Sequence, residues 1–397
     1  MKIAFIIPLI ISGFYLVLMT FMTVIHRPRR SRGARKSNHN QDFRYPPVSI
    51  LKPIRGLEDE LEANLESFYR LDYPVYEILF AIDDWQDKAV EIIRRVSEKY
   101  PHVRTSILAT GHNSAENPKI HKLDFMEKQC YGRLLWVADA NVRVEADTLK
   151  CLVEEYLKKG ARVIFSPIMG TSSRTFASLM ENTSLNFFTS GNVITLWKLF
   201  SIPIVVGKSM LLDRLALKTL GGFRYFKNYL AEDYLIGKSF QQSGFRVSTN
   251  CTWVANISQR ASLKSFYRRM ARWARLRYQL NRPAYLSEIL LNPLILSLSG
   301  LALSGAGFWK LLGLVVSGKV FLEYINFLVV DVLDRSRLTN HLLFPFMVVV
   351  KDIILFVVYL TPFFSTTVEW RGGRIKVGRN SLICHPARYE KLAYEEA

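Results

Sequence analysis

The sequence predicts an α/β domain with a mainly parallel sheet, held between membrane-spanning helices. Three observations support this fold class. Short β-rich runs alternate with amphipathic helical runs from Tyr45 to about Leu263, a charge-free apolar run precedes this region, and more apolar runs follow it. Alternating strands and helices are typical of a parallel sheet covered on both faces. Apolar runs of about 20 residues are long enough to cross a bilayer.

The composition narrows the class of protein. The chain has 53 Lys and Arg against 34 Asp and Glu, a formal net charge of +19, and 49% of its residues are hydrophobic. This hydrophobic content excludes a disordered polyelectrolyte. A basic chain suits nucleic acid or an anionic lipid surface. Six basic residues at 27–36, six at 264–277 and four at 371–379 border the apolar runs. This placement favours lipid, and nucleic acid becomes the weakest option.

Residues 1–25 are predicted to form one transmembrane helix. The run from Ile3 to Ile25 carries no charge, and at about 1.5 Å per residue it spans the roughly 30 Å hydrocarbon core. No small-residue cleavage site follows, which disfavours a signal peptide. Residues 26–44 form a basic linker. By the positive-inside rule, this linker and the domain after it are predicted to be cytoplasmic.

Residues 45–263 are predicted to form the α/β domain. Its strands are short runs of β-branched and other apolar residues, at Val48–Leu51, Ile78–Ile82, Val103–Ala109, Leu134–Ala138 and Arg162–Ser166. Its helices have apolar residues on one face, and they are predicted at Asp59–Leu71, Lys88–Tyr100, Lys119–Cys130 and Thr148–Lys159. Ligands of such folds bind beyond the carboxyl ends of the strands.

Two of these strands end in acidic residues. The strand at Ile78–Ile82 runs into Asp83-Asp84, and the strand at Leu134–Ala138 runs into Asp139-Ala-Asn141. A nucleotide-sugar site needs such groups, to accept hydrogen bonds from the base or ribose and to bind a divalent ion beside the diphosphate. The alternative is that each carboxylate caps the next helix. No Gly-x-Gly-x-x-Gly motif follows a strand, and the full Gly-x-x-x-x-Gly-Lys-Ser/Thr motif of a P-loop is absent, so dinucleotide and P-loop chemistry are poorly supported.

A third acidic site is the adjacent pair Glu232-Asp233. Two neighbouring carboxylates repel, which raises the proton affinity of one of them. A base with a raised pKa could take the proton from an acceptor hydroxyl. The alternative is an acidic pair that stabilises the start of a helix through the helix dipole.

Residues 264–284 are predicted to form an amphipathic helix at the membrane interface. Its basic and apolar residues fall on different faces: Lys264, Arg268, Arg272 and Arg275 on one, and Phe266, Met270 and Trp273 on the other. Arg272 could clamp a departing diphosphate through paired hydrogen bonds. Trp273 could present its ring to a sugar or a lipid headgroup.

Residues 285–364 are predicted to contain three transmembrane segments, and residues 365–397 a basic tail. The segments are Ile289–Phe308, Leu311–Leu333 and His341–Phe364. Charged residues interrupt them, either as interhelical pairs such as Lys351 with Glu323, or as the polar lining of an acceptor path. Three crossings would place the basic tail outside. Either one segment is re-entrant, or the positive-inside rule fails at this end.

The order of these elements resembles a known signature. Asp84, Asp139, Asp233 and Arg269-Met-Ala-Arg272-Trp273 resemble the D…D…D…(Q/R)xxRW pattern of family-2-like glycosyltransferases with the GT-A fold, a Rossmann-like, mainly parallel fold. Within this group the chain is most similar to the ceramide glucosyltransferase family. Further agreements are Leu51-Lys-Pro-Ile-Arg-Gly56, Leu71-Asp-Tyr-Pro74, Asn117-Pro-Lys-Ile120, Leu230-Ala-Glu-Asp-Tyr234 and Trp370-Arg-Gly-Gly-Arg374.

The resemblance implies an integral, multi-pass membrane enzyme with a cytoplasmic catalytic domain, in a bacterial inner membrane or in the Golgi or ER. It would transfer glucose from UDP-glucose to the primary hydroxyl of ceramide with inversion. Three alternatives stay open: a hopanoid-associated or other lipid glycosyltransferase using UDP-N-acetylglucosamine, a processive polysaccharide synthase, and a non-catalytic membrane protein with a basic lipid- or nucleic-acid-binding domain.

The resemblance also implies roles for individual residues. Lys52, Asp84 and Lys119 would contact the UDP part of the donor, and Asp139 would hold Mg²⁺ or Mn²⁺. Asp233 would be the general base, tuned by Glu232. Arg272, with Arg269 in the same motif, would stabilise the leaving UDP, and Trp273 would shape the acceptor side. Three departures matter: Asp139-Ala-Asn141 lacks a second acid, Asp83 competes with Asp84 for the first position, and Thr189-Ser-Gly-Asn192 lacks a His that the animal enzymes of the family have near the acceptor.

Overall fold

The computed structural model describes residues 2–28, 44–111, 117–249, 252–304, 309–331, 334, 337–370 and 373–384. Most of the basic linker predicted at 26–44, and the tail beyond residue 384, lie outside these residues. The strands of the described residues are β1 (Val48–Pro53), β2 (Tyr76–Ile82), β3 (Arg104–Ala109), β4 (Leu134–Ala138), β5 (Val142–Arg143), β6 (Val163–Phe165), β7 (Ile168–Thr171), β8 (Ser209–Asp213), β9 (Val247–Thr249), β10 (Val254–Ile257), β11 (Thr367–Trp370), β12 (Gly373–Val377) and β13 (Ile383–Cys384).

Helices surround these strands and extend beyond them. The α-helices are α1 (Lys2–Ile25), α2 (Leu61–Tyr69), α3 (Ala89–Lys99), α4 (Pro118–Gln129), α5 (Thr148–Lys159), α6 (Phe176–Thr183), α7 (Gly191–Phe200), α8 (Arg214–Thr219), α9 (Glu232–Gln242), α10 (Leu263–Leu280), α11 (Arg282–Ser287), α12 (Pro293–Ser304), α13 (Trp309–Val330) and α14 (Leu338–Phe364). A π-helical turn, Ser184–Ser190, joins α6 to α7. The strands and helices predicted between residues 45 and 166 are all present, with ends shifted by no more than two residues.

The central sheet has seven strands in the order β3-β2-β1-β4-β8-β6-β9. Its pairs are parallel except those of β8, which runs antiparallel to β4 and β6. The predicted mainly parallel sheet is therefore confirmed. Because β1, β2 and β4 are parallel neighbours, their carboxyl ends lie at one edge, and the residues after them face the same cleft.

The inner strands β1, β2 and β4 are buried on both faces, which explains why their sequences are largely apolar runs. On one face Phe68 and Trp136 lie in a cluster with the apolar sides of α2, α3 and α5. On the other, Phe165 and Phe240 pack with residues of α4, α8 and α9. Helix α4 starts at Asn117, whose side-chain Oδ1 accepts hydrogen bonds from the N–H groups of Lys119 (2.9 Å) and Ile120 (3.3 Å). This N-cap fixes Lys119 in the first turn of the helix.

A second, smaller sheet, β5-β10-β7, leads into α10. Helix α10 begins at Ser262, which forms a capping box with Ser265. Its apolar face, including the buried Phe266 and Met270, packs in one cluster with residues of α6 and α14. Neighbouring helices therefore cover much of the face that the sequence predicted to meet the membrane.

Among the residues that the structure describes, three helices are long and apolar enough to cross a membrane: Phe5–Ile25, Trp309–Val330 and Leu338–Phe364. The span predicted as continuous from Ile289 to Phe308 is different in the structure, because Arg282–Leu291 and Pro293–Leu303 meet at an angle of 74°. Asn292 between them has a non-helical backbone (φ −116°, ψ 74°). Pro293 has no N–H to continue the helical hydrogen bonds, so the bend falls at this dipeptide.

The charged residues of α13 and α14 pair with one another. Lys351 Nζ lies 2.5 Å from Glu323 Oε2, and Lys319 Nζ lies 2.9 Å from Glu323 Oε1 and 3.1 Å from Asp352 Oδ2. The predicted pairing of Lys351 with Glu323 is confirmed. We call Lys319, Glu323, Lys351 and Asp352 the buried charge cluster, since all four side chains are almost completely buried.

The described part of the tail forms a three-stranded antiparallel sheet, β11-β12-β13, that packs on the α/β domain. The Leu230 N–H donates to the Ser381 carbonyl (2.9 Å), and the Ala231 N–H donates to Ser381 Oγ (3.1 Å). The Ile383 N–H donates to the Asn228 carbonyl (2.8 Å). The tail sheet therefore holds the loop immediately before Glu232.

Candidate active site

Asp139 follows β4 at the ligand-binding edge of the sheet, where two lysines bind its carboxylate. Lys119 Nζ is 2.9 Å from Oδ1, and Lys208 Nζ is 3.0 Å from Oδ2. Burial alone would raise the pKa of Asp139, but the two ammonium groups outweigh burial and hold the pKa well below its ordinary value. Burial would likewise lower the pKa of Lys119, but Asp139, Glu232 and Asp233 raise it instead. Asp139 and Lys119 therefore form a charged pair at neutral pH.

Lys119 connects Asp139 to the acidic pair that opens α9. Its Nζ lies 3.5 Å from Glu232 Oε1 and donates to the Gly207 carbonyl at 3.1 Å. Asn117 Nδ2 donates to Glu232 Oε2 at 2.8 Å. Burial raises the pKa of Glu232, Lys119 opposes this rise and the adjacent Asp233 adds to it. One lysine thus bridges the residues predicted for the donor side and for the base.

Asp233 is oriented by the backbone of Gly207, whose N–H donates to Asp233 Oδ2 at 2.7 Å. A Cβ atom at position 207 would lie 2.9 Å from Asp233 Cβ and 3.1 Å from Lys119 Nζ. These distances are shorter than carbon contacts allow, so the position requires glycine. Sequence reasoning missed Gly207, although a glycine directly before a buried strand is a signal of close backbone approach.

Lys208 was also missed, and it binds both side chains of Asp139-Ala-Asn141. Besides its contact with Asp139, Lys208 Nζ donates to Asn141 Oδ1 at 2.8 Å. A carboxylate and an amide oxygen are ligands that Mg²⁺ and Mn²⁺ accept. The described residues contain no group of three or more His, Cys, Asp and Glu that could hold a metal ion. The pair therefore fits a divalent ion that takes its other ligands from phosphate and water, provided that Lys208 moves aside.

Lys52, predicted to contact the UDP part of the donor, lies against the backbone of Asp139. Its side chain is completely buried, its Nζ donates to the Asp139 carbonyl at 3.1 Å, and the same atom lies 3.5 Å from the centre of the Phe68 ring. Burial lowers the pKa of Lys52 to about 7. Lys52 therefore supports the backbone of Asp139 from behind and does not line the cleft in this conformation.

Asp83 and Asp84, after β2, have different surroundings. Asp83 lies 2.9 Å from the buried Lys122 Nζ and 3.5 Å from Arg55 Nε. Asp84 is exposed, and its Oδ1 accepts a hydrogen bond of 2.7 Å from the Gln86 N–H. These two ion pairs indicate that Asp83 stabilises the fold. Exposure leaves Asp84 accessible to a ligand, which agrees with the preference for Asp84 in the sequence.

The predicted motif residues of α10 have different partners. Arg269 forms a short ion pair with Glu181 of α6, whose side chain is buried. This contact joins α10 to α6. Trp273 lines a cavity between α10 and the apolar helices, together with Met270 and Arg277. Arg272 precedes Trp273 in the same helical turn.

A mainly parallel sheet with Asp139 beyond β4, and a lysine-bridged acidic pair at the start of α9, defines a GT-A glycosyltransferase associated with membrane helices. The family described as glycosyl transferase family 21 matches residues 7–383. The chain belongs to this family.

Relatives and solved structures agree with this assignment. The chain is 25% identical to ceramide glucosyltransferase 3 of Caenorhabditis elegans over 95% of this chain and 82% of the relative. It is 23% identical to ceramide glucosyltransferase 1 of the same organism over 85% and 74%. In structure it is similar to the mannosyltransferase PcManGT of Pyrobaculum calidifontis in complex with GDP-Man and Mn²⁺, with a TM-score of 0.51 and 15% identity, over 92% of this chain and 99% of that one. This likeness supports the fold.

Proposed function

We propose that the protein is a membrane-bound, inverting glycosyltransferase that transfers glucose from UDP-glucose to the primary hydroxyl of ceramide. The observation that carries the proposal is the continuous contact Asp139–Lys119–Glu232 beside Asp233, because it joins a donor-binding carboxylate to a candidate base. The names of the two nematode relatives support the choice of donor sugar and acceptor.

On the donor side, positive charge lies next to Asp139. Lys208 Nζ has two acceptors and three hydrogens, so it can still donate a hydrogen bond to a phosphate oxygen, whereas Lys119 Nζ already has three acceptors and contributes its positive charge. The exposed Asp84 can accept hydrogen bonds from the base or ribose. A divalent ion, Mg²⁺ or Mn²⁺, would be held by Asp139 with help from Asn141, and would supply further positive charge to the diphosphate. Lys52 keeps the Asp139 backbone in place.

On the acceptor side, Asp233 is the general base. The Gly207 N–H holds Oδ2, while Oδ1 accepts a 2.8 Å hydrogen bond from the Tyr234 N–H. The acceptor oxygen attacks the anomeric carbon and passes its proton to Asp233. The bond from that carbon to the diphosphate oxygen breaks, and UDP departs with the electron pair. Arg272 stabilises the leaving diphosphate by charge-assisted hydrogen bonds, and Trp273 shapes the acceptor side.

We further propose that the enzyme is multi-pass with a cytoplasmic catalytic domain. The tail sheet and α10 both contact the α/β domain, so the chain between them returns to the side from which it left. The helices from Arg282 to Phe364 then cross the bilayer an even number of times. The bend at Asn292 and Pro293 makes the segment around it the candidate for a re-entrant loop. An even number of crossings also places Arg374, Lys376 and Arg379 on the cytoplasmic side, where the positive-inside rule favours basic residues.

The direct test is an assay of purified enzyme in lipid nanodiscs with labelled UDP-glucose and ceramide. We expect a monoglucosylated lipid and one UDP released per transfer. UDP-N-acetylglucosamine in place of UDP-glucose, and diacylglycerol in place of ceramide, are the matched controls. A product that forms only with UDP-N-acetylglucosamine would overturn the assigned donor, and one that forms only with diacylglycerol would overturn the assigned acceptor. Formation of a long polymer would overturn the transfer of a single sugar.

A further inference from the structure

A cavity of about 80 Å³ lies where α1, the π-helical turn, α10, the bent α11–α12 segment, α13 and α14 meet. Trp273, beside the proposed leaving-group arginine, forms part of its wall. Much of the remaining wall is apolar, including Leu16, Met19, Phe187 and Leu355. An apolar cavity with a few fixed polar groups is typical of sites for small amphiphilic molecules. Its position connects the proposed catalytic helix with the apolar helices.

The polar part of the wall comes mainly from the buried charge cluster. Lys319, Lys351 and Asp352 line the cavity, and Glu323 pairs with both lysines behind them. Each lysine has two carboxylates within 3.5 Å. Because an ammonium group has three hydrogens, each lysine can still donate one hydrogen bond to a molecule in the cavity.

The charges around the cavity balance. Two lysines face two carboxylates within the buried charge cluster. On the opposite wall Arg277 pairs with Glu288 at 2.7 Å and 3.0 Å. A neutral set of hydrogen-bonding groups suits an uncharged polar group. Such a set offers no net positive charge to an anionic headgroup. An anionic headgroup in the cavity would therefore lose its hydration without compensation.

Stability alone does not account for the buried charge cluster. Four ionised side chains among apolar helices lose their hydration, and apolar side chains of similar volume often hold such positions equally well. Ionisable residues in apolar membrane helices usually serve a ligand or a transport path. Three residues of the buried charge cluster line a cavity that residues of α10 also line. Binding of a ligand in this cavity would explain why the charges are there.

We propose that this cavity binds the part of the lipid acceptor next to its reacting primary hydroxyl, with the buried charge cluster donating hydrogen bonds to the secondary hydroxyl and amide groups, and that the neutrality of the wall excludes phosphorylated lipids. The inference rests on the proposed function and adds the place and the selectivity of acceptor binding. Leu16, Met19 and Leu355 contact the hydrocarbon part of the acceptor. Anionic phospholipids, which are abundant in the surrounding membrane, are thereby kept out of the site.

The first test compares two tryptophan variants of α14. Leu355→Trp fills the cavity, whereas Val357→Trp changes an exposed side chain on the same helix. Both are labelled with a ceramide that carries a photoactivatable diazirine in its acyl chain, and UDP binding is measured by calorimetry. We expect Leu355→Trp to lose at least tenfold in labelling while its UDP affinity stays unchanged. Equal labelling of the two variants would overturn the proposal.

The second test changes the net charge of the buried charge cluster and introduces no larger side chain. Glu323→Gln gives the buried charge cluster a net positive charge, and Glu323→Gln with Lys351→Met restores neutrality. We expect ceramide 1-phosphate to compete with the photoactivatable ceramide at least tenfold better in the single variant than in wild type, and no better in the double variant. No gain in the single variant would overturn the selectivity.

The outcomes separate this inference from the proposed function. If wild-type enzyme glucosylates ceramide but the label maps away from α13 and α14, the cavity assignment fails and the proposed function stands. If the label maps to these helices but no glucosylceramide forms with any UDP-sugar, the cavity assignment stands and the proposed reaction fails.

Discussion

Asp233 Oδ2 accepts a 2.7 Å hydrogen bond from the backbone N–H of Gly207. A backbone N–H group of another loop thus orients the carboxylate of the proposed base. A side-chain substitution elsewhere in the chain could not supply this hydrogen bond. The absence of a Cβ at Gly207 also leaves room for Lys119. The position of the base therefore depends on a residue that makes no side-chain contact of its own.

Gly207→Ala should displace the proposed base. Its Cβ would meet Asp233 Cβ at 2.9 Å, and a shift of about 1 Å in a catalytic group can lower kcat by about 10²-fold. We expect a loss of this size with a small change in the KM for UDP-glucose. Gly318→Ala, where a Cβ has no neighbour within 4 Å, is the control and should keep full activity. Wild-type kcat in Gly207→Ala would contradict the close approach.

Asp233→Asn should remove general-base catalysis. General bases contribute about 10²–10⁴-fold, so we expect kcat to fall by that range while UDP still binds, since Asp139 and both lysines are unchanged. Activity is measured as glucosylceramide formed, and UDP affinity by calorimetry. Asp233→Glu, which keeps a carboxylate, should recover part of the rate. Full turnover in a folded Asp233→Asn enzyme would exclude the role.

Lys208→Met should strengthen divalent-ion binding. The ammonium group lies between Asp139 Oδ2 (3.0 Å) and Asn141 Oδ1 (2.8 Å), so a metal ion has to displace it. Removing this charge should raise the affinity for Mn²⁺ in the presence of UDP by about tenfold, or about 1.4 kcal/mol, measured by electron paramagnetic resonance. Lys150→Met, remote from the site, is the control. Weaker Mn²⁺ binding in Lys208→Met would indicate that the lysine assists the metal.

Stability should depend on pH through Lys52. Its pKa in the folded protein is about 7, below the ordinary 10.5, because the side chain is buried. Between these values the unfolded chain binds more protons, so the free energy of unfolding should rise with pH by up to about 1.4 kcal/mol per unit. Lys52→Met lacks this titration. Thermal unfolding in detergent should therefore favour wild type over the variant increasingly as pH rises from about 7 to about 10. A constant difference would contradict the lowered pKa.

Arg269→Met should unfold the junction of α10 and α6. The variant leaves Glu181 buried without its partner, which costs about 3–5 kcal/mol. Arg269→Met with Glu181→Gln should recover most of the loss, because no buried charge remains. Arg268→Met breaks an exposed pair with Glu369 and should cost less than about 1 kcal/mol. Thermal unfolding compares the three variants. Equal effects of the two arginine substitutions would show that burial of Glu181 is unimportant.

The fold was largely predictable because its signals are local. Alternating β-rich and amphipathic runs identified the parallel sheet, and the acids directly after β2 and β4 predict the edge of the sheet at which ligands bind. The bend at Asn292 was missed because overall hydropathy obscured the proline that follows. Gly207 and Lys208 were missed for another reason: their partners are between 26 and 88 positions away in the chain, and no periodic pattern relates them.

The roles of single residues were harder to infer, because sequence does not reveal burial. Lys52 has the residue type expected for phosphate binding, yet it lies behind Asp139 and not in the cleft. Arg269 belongs to the resembled motif, yet its guanidinium pairs with a buried carboxylate of α6. At both positions a cationic side chain could either bind a ligand or stabilise the fold. Its neighbours in the structure determine which of the two it does.

The packing of the tail sheet has a consequence for biosynthesis. The loop leading to Glu232 donates backbone hydrogen bonds to Ser381, which the ribosome adds about 150 residues later. The nascent α/β domain can therefore fold its sheet early, but the backbone that presents Asp233 is secured only after the apolar helices have been made. The proposed active site is thus completed only after the apolar helices between residues 282 and 364 have been synthesised. A secreted or truncated catalytic fragment would lack this support.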